Sequence, residues 1–381
     1  MFVSDTHHRH LLTPEQYCGE PQLQAEIQHL FQPAWHFICT TADLPNDGDF
    51  LTFDLLGTPL IVRNFCGELH AFLNVCAHRF CRLTGEESGH SKEFTCQYHG
   101  WQYDANGETR KIPDAPNFRP FKKGMVGLCK YRLETAGQLV FVNLNDEGPT
   151  LREYLGPHYE ESCEMFSSQW EQIWSWQPVC QGNWKLAYEI TLEGYHVQTV
   201  HPKTLGQFPL AGDDISTHHL LTDQHSSFRA DRSEDHFAAL DFERFAVRTC
   251  GGIPKCEYTH LNTYPHLGLI SQNVVAIAQS VLPITTNTYR NLFRMFVYRG
   301  NRSGILPWVT KRFLKSALCR LWPKTFQEDI DMVTETQAGL QSPDHPKGGL
   351  ISIREERVYH FQQFIQQHCR PQNASETGNS T

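Results

Sequence analysis

Two thiolates and two imidazoles stand at metal-ligand spacing in the first third of the chain. In CAHRFCRLTGEESGHSKEFTCQYHGW (residues 76–101), Cys76-x-His78 is followed, after seventeen intervening residues, by Cys96-x-x-His99. Two short Cys/His pairs on separate loops can converge on a small volume, and such a donor set serves either a structural zinc or an iron–sulfur cluster. If two cysteines bind one iron and two histidines the other, each loop gives one ligand to each iron. Neutral imidazoles in place of two thiolates make the oxidised cluster less negative, raise its potential and couple its reduction to histidine protonation.

A second group of donors lies in GNWKLAYEITLEGYHVQTVHP (182–202), which carries Glu193, His196 and His201. Two histidines and one carboxylate make the facial triad of mononuclear non-haem iron(II), with coordination positions left for dioxygen and substrate. A His-x(4)-His pair alone is weak evidence in a chain with 21 histidines. On an ideal helix, positions five apart also diverge by about 140°. The rings can share a cation only if the helix is distorted or ends near Pro202. The run FQEDIDMVTETQAGL (326–340) supplies Asp329 and Asp331, although such a run alone reads as the solvated face of a helix.

The elements that must position these residues fall into two regions. Residues 14–31 form a helical lead-in with a cap signal at Thr13-Pro14, its regular turn expected near Gln22 because of Gly19 and Pro21. From Trp35 to about Asn145, segments such as DFLTFDLL, LIVRNF and GQLVFVNL alternate with turn residues, as in a small antiparallel β domain. Beyond Glu147-Gly148-Pro149 the pattern is α+β. NWKLAYEITLEGYHVQTVH has helical character, and NVVAIAQSVL and RNLFRMFVYR flank a PITTNT turn like a hairpin. LPWVTKRFLKSALCRLW (306–322) is amphipathic and expected as a half-buried helix, with partner docking or a membrane surface as the other readings. These boundaries divide the chain into residues 1–34, 35–146, 147–369 and a tail, 370–381, of disordered composition.

Composition narrows the function. A formal charge of −9 without a long basic block argues against nucleic-acid binding, and no apolar run approaches the ~20 residues of a membrane span. MFVSDTHHRHLLTPEQ lacks the pattern of a secretory leader, so a reducing, cytoplasmic setting is expected. Thirteen scattered cysteines then read as buried thiols and a few metal ligands rather than a disulfide framework. No G-x-G-x-x-G fingerprint follows a strand, so nucleotide binding is not expected of this chain.

The first motif and its Gly100-Trp101 flank resemble the Rieske 2Fe-2S pattern, Cys-x-His-x(15 to 17)-Cys-x-x-His. Cys81 would match a cysteine of the cytochrome bc type of Rieske protein, but Tyr98 occupies the position of its partner, which favours the oxygenase branch. With Asn183-Trp184-Lys185 and Glu193-x-Tyr195-His196-x(4)-His201, the chain resembles the α subunit of Rieske non-haem iron oxygenases, the ring-hydroxylating family. The resemblance runs from Trp35 to about Leu340 and includes RNFCGELHAFLN (63–74).

This resemblance implies an α+β protein in which an antiparallel β Rieske domain is fused to a helix-grip (START-like) catalytic domain with an antiparallel sheet. It implies a 2Fe-2S cluster on Cys76, His78, Cys96 and His99, and a mononuclear iron on His196, His201 and Asp329, with Asp331 as the alternative. Glu193 would link the iron site to a cluster histidine of a neighbouring subunit. The expected assembly is a trimer, alone or with β subunits, fed from NAD(P)H by a reductase and possibly a ferredoxin. The expected reactions are hydroxylation, dihydroxylation or oxidative demethylation of a small organic substrate.

Four positions depart from the pattern: Phe80, where a Gly is usual; Ile190, where Asn is common; Glu193, where many members have Asp; and Thr334, where Glu is common. Some quaternary-ammonium oxygenases of the family share the Glu, so Glu193 leans toward an N-methylated substrate. Substrate-pocket residues are expected between Gln207 and Arg299. A Rieske electron carrier and a zinc-stabilised binding protein are the alternatives; the long segment after the first motif argues against the carrier.

Overall fold

Residues 2–122, 124–207, 218–231, 237–255, 257–346 and 348–369 are described by the computed structural model, so the expected disordered tail lies outside the described residues. The chain divides into two units. One comprises residues 32–167; the other joins residues 1–31 to those from 168 onward.

In the first unit, β-branched and aromatic residues alternate with turn signals and pair as antiparallel strands. The order across the main sheet is 36–40, 139–143, 130–136, 68–73, 58–65, 49–55 and 88–90. A smaller sheet of 94–95, 102–103 and 109–111 carries the second Cys/His loop between its first two strands. Phe72, Leu83, Phe94, Trp101 and Tyr103 form one buried cluster with Cys76 and Cys96, so the packed core itself holds both loops. The unit continues past the composition change at Glu147-Gly148-Pro149. Helices Leu151–Leu155 and Tyr159–Met165 follow, and Gln138 N donates to Phe166 O at 2.8 Å. Gly137, at φ +60°, lets the turn approach closely, since an added Cβ would lie 2.5 Å from Phe166 O. The change in composition marks the end of a strand, not of the unit.

The second unit is a strongly antiparallel sheet against one long helix. Its strands run in the order 170–176, 288–298, 275–285, 267–272, 257–263, 225–231 and 218–221, with 179–181 also pairing on 288–298. The expected hairpin is present, with a turn tighter than PITTNT suggested. The strands extend to Thr285 and from Thr288, leaving Thr286-Asn287 between them. The segments at 306–322 and 326–340 are one helix, Ile305–Leu340, that runs through Pro323. Its buried side presents Leu314, Leu318, Trp322 and Phe326 to Ile277, Phe293 and Met295 of the sheet. Its first turns also expose Ile305, Trp308 and Phe313, so the half-buried expectation describes it well.

The lead-in is helical earlier than expected. Pro14–Cys18 forms a short helix with a Thr13/Gln16 capping box, Gly19 interrupts it in extended conformation, and Glu20–Glu26 follows. Pro21 lies in the first turn of that second helix, where its missing N–H costs nothing. This segment anchors the Asn183-Trp184-Lys185 motif. Asn183 caps helix Trp184–Glu189 by accepting from Lys185 N, and its Nδ2 donates to Tyr17 O at 2.7 Å and Thr286 O at 3.0 Å. Trp184 Nε1 and Lys185 Nζ donate to the two carboxylate oxygens of Glu26, each at 2.7 Å, with both ionic side chains fully buried.

Removing one partner of such a pair leaves a buried charge without compensation, which costs about 3–5 kcal/mol. Glu26→Gln is therefore expected to lower the unfolding free energy of the full chain by about that amount in urea titration. The double variant Glu26→Gln/Lys185→Met should recover most of the loss, and a single variant as stable as the parent would refute this account.

Candidate metal centres

The two Cys/His loops are built alike. Phe80 N donates to Cys76 O at 3.0 Å, and Gly100 N donates to Cys96 O at 3.1 Å, so each loop turns four residues after its cysteine. Both turn residues are left-handed, Phe80 at φ +59° and Gly100 at φ +71°. Phe80 thus occupies a backbone position suited to glycine, and its ring is 82% exposed. Cys76 N donates to Cys81 O, and Cys96 N to Trp101 O, each at 2.8 Å.

Inside this frame the side chains converge. Cys76 and Cys96 are buried, and the Tyr103 hydroxyl lies 3.0 Å from Cys76 Sγ while accepting from Ala77 N at 3.1 Å. Burial and the neighbouring Cys76 thiol hold the Tyr103 phenol far above its ordinary range, so it stays protonated and keeps a hydrogen to offer the sulfur. His78 stacks flat on Trp101 at 4.8 Å, and the His78 and His99 rings lie 4.7 Å apart. His78 Nδ1 is buried without a hydrogen-bond partner. A buried imidazole nitrogen with no partner fits a metal ligand. Two buried sulfurs and two neighbouring imidazoles, one of each from either loop, are the donor set that a two-iron cluster with mixed ligation requires.

The second donor set is a trio, His196, His201 and Asp329. The two histidines bracket a single helical turn, Val197–Val200, His196 at its start and His201 at its end with φ −113° and ψ 42°. Because the turn stops there, the 140° divergence of an ideal helix does not develop, and the rings stand 5.2 Å apart at 71°. Asp329 approaches from the long helix. Its Oδ1 lies 2.8 Å from His201 Nε2 and 3.5 Å from His196 Nε2. Both Asp329 Oδ1 and His201 Nε2 are buried, yet neither makes a hydrogen bond of acceptable geometry. Lone pairs gathered in this way fit a shared cation. Asp331, two residues on, accepts from Gln327 on the exposed side of the helix and takes no part.

Each imidazole is held from behind by a carboxylate. Glu193 hydrogen-bonds His196 Nδ1, and Glu328 Oε2 lies 2.7 Å from His201 Nδ1 while accepting from Thr204 Oγ1 at 2.6 Å. With Nδ1 fixed, Nε2 faces the centre. Burial disfavours the charged form of His196, but Asp329 and Glu193 outweigh it and push its pKa up to about 10. The pocket therefore stabilises positive charge, which a divalent ion supplies. Glu328 was not singled out in the sequence; the one signal was its place beside Asp329, and the contact with His201 is purely tertiary. Glu189 points elsewhere, accepting from Tyr17 and Gln362, and Ile190 lines the cavity as an apolar side chain.

A cavity of about 80 Å³ opens beside the trio. Tyr258, His260, Gln279, Asn291 and Phe293 come from the expected span of 207–299. Trp322, Phe326 and Ile330 come from outside it, because the helix that supplies Asp329 also forms a wall, and Ile190 comes from the turn after helix Trp184–Glu189. Residues 208–217, 232–236 and 256 of that span lie outside the described residues.

Comparison with known proteins accords with this geometry. Residues 34–125 match the Rieske [2Fe-2S] domain, and residues 166–370 match the ring hydroxylating alpha subunit (catalytic domain). The chain belongs to the ring-hydroxylating alpha-subunit family, whose two metal centres are a Rieske 2Fe-2S cluster and a mononuclear non-haem iron. It is 33% identical over 195 residues to the anthranilate 1,2-dioxygenase large subunit of Acinetobacter baylyi, covering 48% of this chain and 41% of that protein. It is 31% identical over 201 residues to the glycine betaine monooxygenase oxygenase subunit of Chromohalobacter salexigens, covering 50% of this chain and 43% of that protein. The chain thus aligns with less than half the length of either relative. The fold matches that of the quaternary ammonium Rieske monooxygenase CntA with a TM-score of 0.77 at 17% identity, over 95% of this chain and 96% of that one.

His201→Ala is expected to retain the visible spectrum of the cluster while losing about one of three irons per chain. Cys96→Ser should abolish that spectrum, and an intact spectrum in this variant would refute the cluster assignment. Glu328→Gln should weaken iron(II) binding by about 10–100-fold in titrations of the metal-depleted protein, with the cluster spectrum unchanged. Unaltered affinity would remove Glu328 from the site.

Proposed function

We propose that this protein is the terminal oxygenase of a multicomponent Rieske system acting on a small organic substrate. The observation that carries the reading is the two-histidine, one-carboxylate trio opening on a cavity, with a Cys/His pair of loops in the same chain. Cys76 and Cys96 would hold one iron of the cluster and His78 and His99 the other; His196, His201 and Asp329 would hold the mononuclear iron. When bound, the metals supply electron storage and dioxygen activation beside the substrate. The protein's part is positional. Glu193 and Glu328 fix the imidazole tautomers, Trp101 and Tyr103 keep water from the cluster loops, and the aromatic walls orient the substrate and exclude solvent.

Electrons would come from NAD(P)H through a separate reductase, with or without a ferredoxin. Glu193 would carry them onward as the bridge between His196 and a cluster histidine of a neighbouring copy, within a cytoplasmic trimer that includes or lacks β subunits. Tyr195, 62% exposed beside Glu193, leaves this loop open to such a neighbour. The products are those of hydroxylation, dihydroxylation or oxidative demethylation. Glu193 and the relative named for glycine betaine lean toward N-methylated compounds, while the relative named for anthranilate keeps aromatic compounds in view.

The test is metal analysis of anaerobically purified protein, with electron paramagnetic resonance after dithionite reduction and oxygen uptake in the presence of substrate and a reductase. About three irons and two sulfides per chain, a Rieske-type signal and substrate-dependent uptake are expected. One zinc without sulfide would replace this reading with that of a metal-stapled binding protein.

A further inference from the structure

The cavity beside the iron trio has a polar edge whose hydrogen-bonding sense can be worked out. Arg357, fully buried, donates from Nη1 to Asn262 Oδ1 at 2.9 Å, which turns the amide nitrogen of Asn262 toward His260 Nε2 at 3.5 Å. Burial, reinforced by Arg357, drives the His260 pKa well below its ordinary value and keeps the ring neutral. A neutral ring that accepts at Nε2 carries its proton on Nδ1, which lies 3.4 Å from the Tyr258 hydroxyl. Tyr258 accepts there and retains its own hydrogen to give, because burial pushes the phenol up to about 12. Farther along the sheet, Gln279 Nε2 donates to Asn291 Oδ1 at 3.2 Å. That pairing leaves Gln279 Oε1 as an acceptor and Asn291 Nδ2 as a donor for a ligand.

The charges of the cavity complete the picture. Among its described lining residues there is no lysine or arginine, and the only carboxylates, Glu193 and Asp329, face the histidines. Arg357 does not line the cavity; it is turned into Asn262 and lies 5.2 Å from the Phe228 ring. A divalent iron on the trio would be offset by the carboxylates of Asp329, Glu193 and Glu328, so a substrate carboxylate or sulfonate would enter this space with no uncompensated cation and no cationic side chain to meet it. A carbonyl, hydroxyl or amide would find two donors and one acceptor.

We propose that the substrate of this site carries no anionic group and is a small neutral or cationic molecule, with an acceptor atom on the Tyr258 hydroxyl and a polar end on the Gln279–Asn291 pair. The proposal rests on the oxygenase reading of the metal site. It makes Tyr258, Gln279 and Asn291 specificity residues and separates this chain from its relative named for anthranilate.

Two matched pairs of probes test it by calorimetric titration of the iron-loaded full chain without oxygen: anthranilamide against anthranilate, and choline against glycine betaine. Within each pair the shapes are close and the carboxylate is the main difference. The member without the carboxylate is expected to bind at least about tenfold more tightly in at least one pair. Tyr258→Phe should weaken that ligand about fivefold through loss of one hydrogen bond, at unchanged iron and sulfide content. Gln279→Arg should narrow or invert the preference by supplying the missing cation. Equal or tighter binding of the carboxylate in both pairs, failure of both anthranilamide and choline to bind, or indifference of the ligand to Tyr258→Phe would overturn the proposal. Iron and sulfide analysis of the same sample separates the two readings. Full metal content with a carboxylate preference refutes only the substrate class, whereas absent iron and sulfide refute the oxygenase.

Discussion

The catalytic unit is organised around a buried carboxylate oxygen that no hydrogen bond satisfies. Asp329 Oδ1 faces two imidazole nitrogens at 2.8 and 3.5 Å, and a protein interior tolerates such an arrangement only if a cation completes it. The surroundings follow from this need. The helix carrying Asp329 must be rigid and deeply packed, and Leu318, Trp322 and Phe326 on the same helix secure it against the sheet. The histidines must end their short helix early, and Glu193 and Glu328 must hold the far nitrogens so that the near ones point inward. The fully buried Lys185–Glu26 pair serves the same end from below, since it fixes the helix that leads into the first histidine.

The Cys/His unit solves a different problem, that of placing four donor side chains on two loops of nearly identical shape. Both loops reverse through a left-handed residue four positions after the cysteine, and both cysteines lie in the same aromatic core. Glycine meets the backbone demand in the second loop at no steric cost. Phenylalanine meets it in the first at a cost of about 1–2 kcal/mol, which the two loop hydrogen bonds and the buried Cys76 offset. The Phe80 ring points into solvent, so packing within this chain does not account for the choice of a large apolar residue there.

How much of this was legible in the sequence depended on whether a constraint was local. Cys76, His78, Cys96 and His99 stood out because loop ligands keep short spacings, and the hairpin of residues 275–298 because alternation and a turn are local signals. Asp329 and Asp331 could not be separated by spacing. They lie about 200° apart around a helix whose orientation depends on distant packing against the sheet. Glu328 and Glu26 were missed for the same reason: their partners His201 and Lys185 are more than a hundred residues away. In sequence the long helix shows only as two stretches, 306–322 and 326–340; tertiary packing on both sides of Pro323 carries it through as one. The Gly148-Pro149 step marks a turn and says nothing of where the following helices pack, so the unit extends to Ser167.

Under the proposed electron route, Glu193 must serve two masters, and its geometry leaves room for both. One of its oxygens holds His196 Nδ1; the other accepts from the backbone N–H groups of Tyr195 and His196. A carboxylate offers about four lone-pair sites, so three are engaged and one remains. An imidazole N–H from a neighbouring copy would therefore add to the existing set without displacing the bond that orients the iron ligand. Glutamate in place of aspartate suits this arrangement, since the longer side chain can fold back over its own loop and still keep an oxygen near the surface. The residue that fixes the tautomer of His196 would then also set the length of the path to the cluster, so that orientation of the ligand and electronic coupling depend on one side chain.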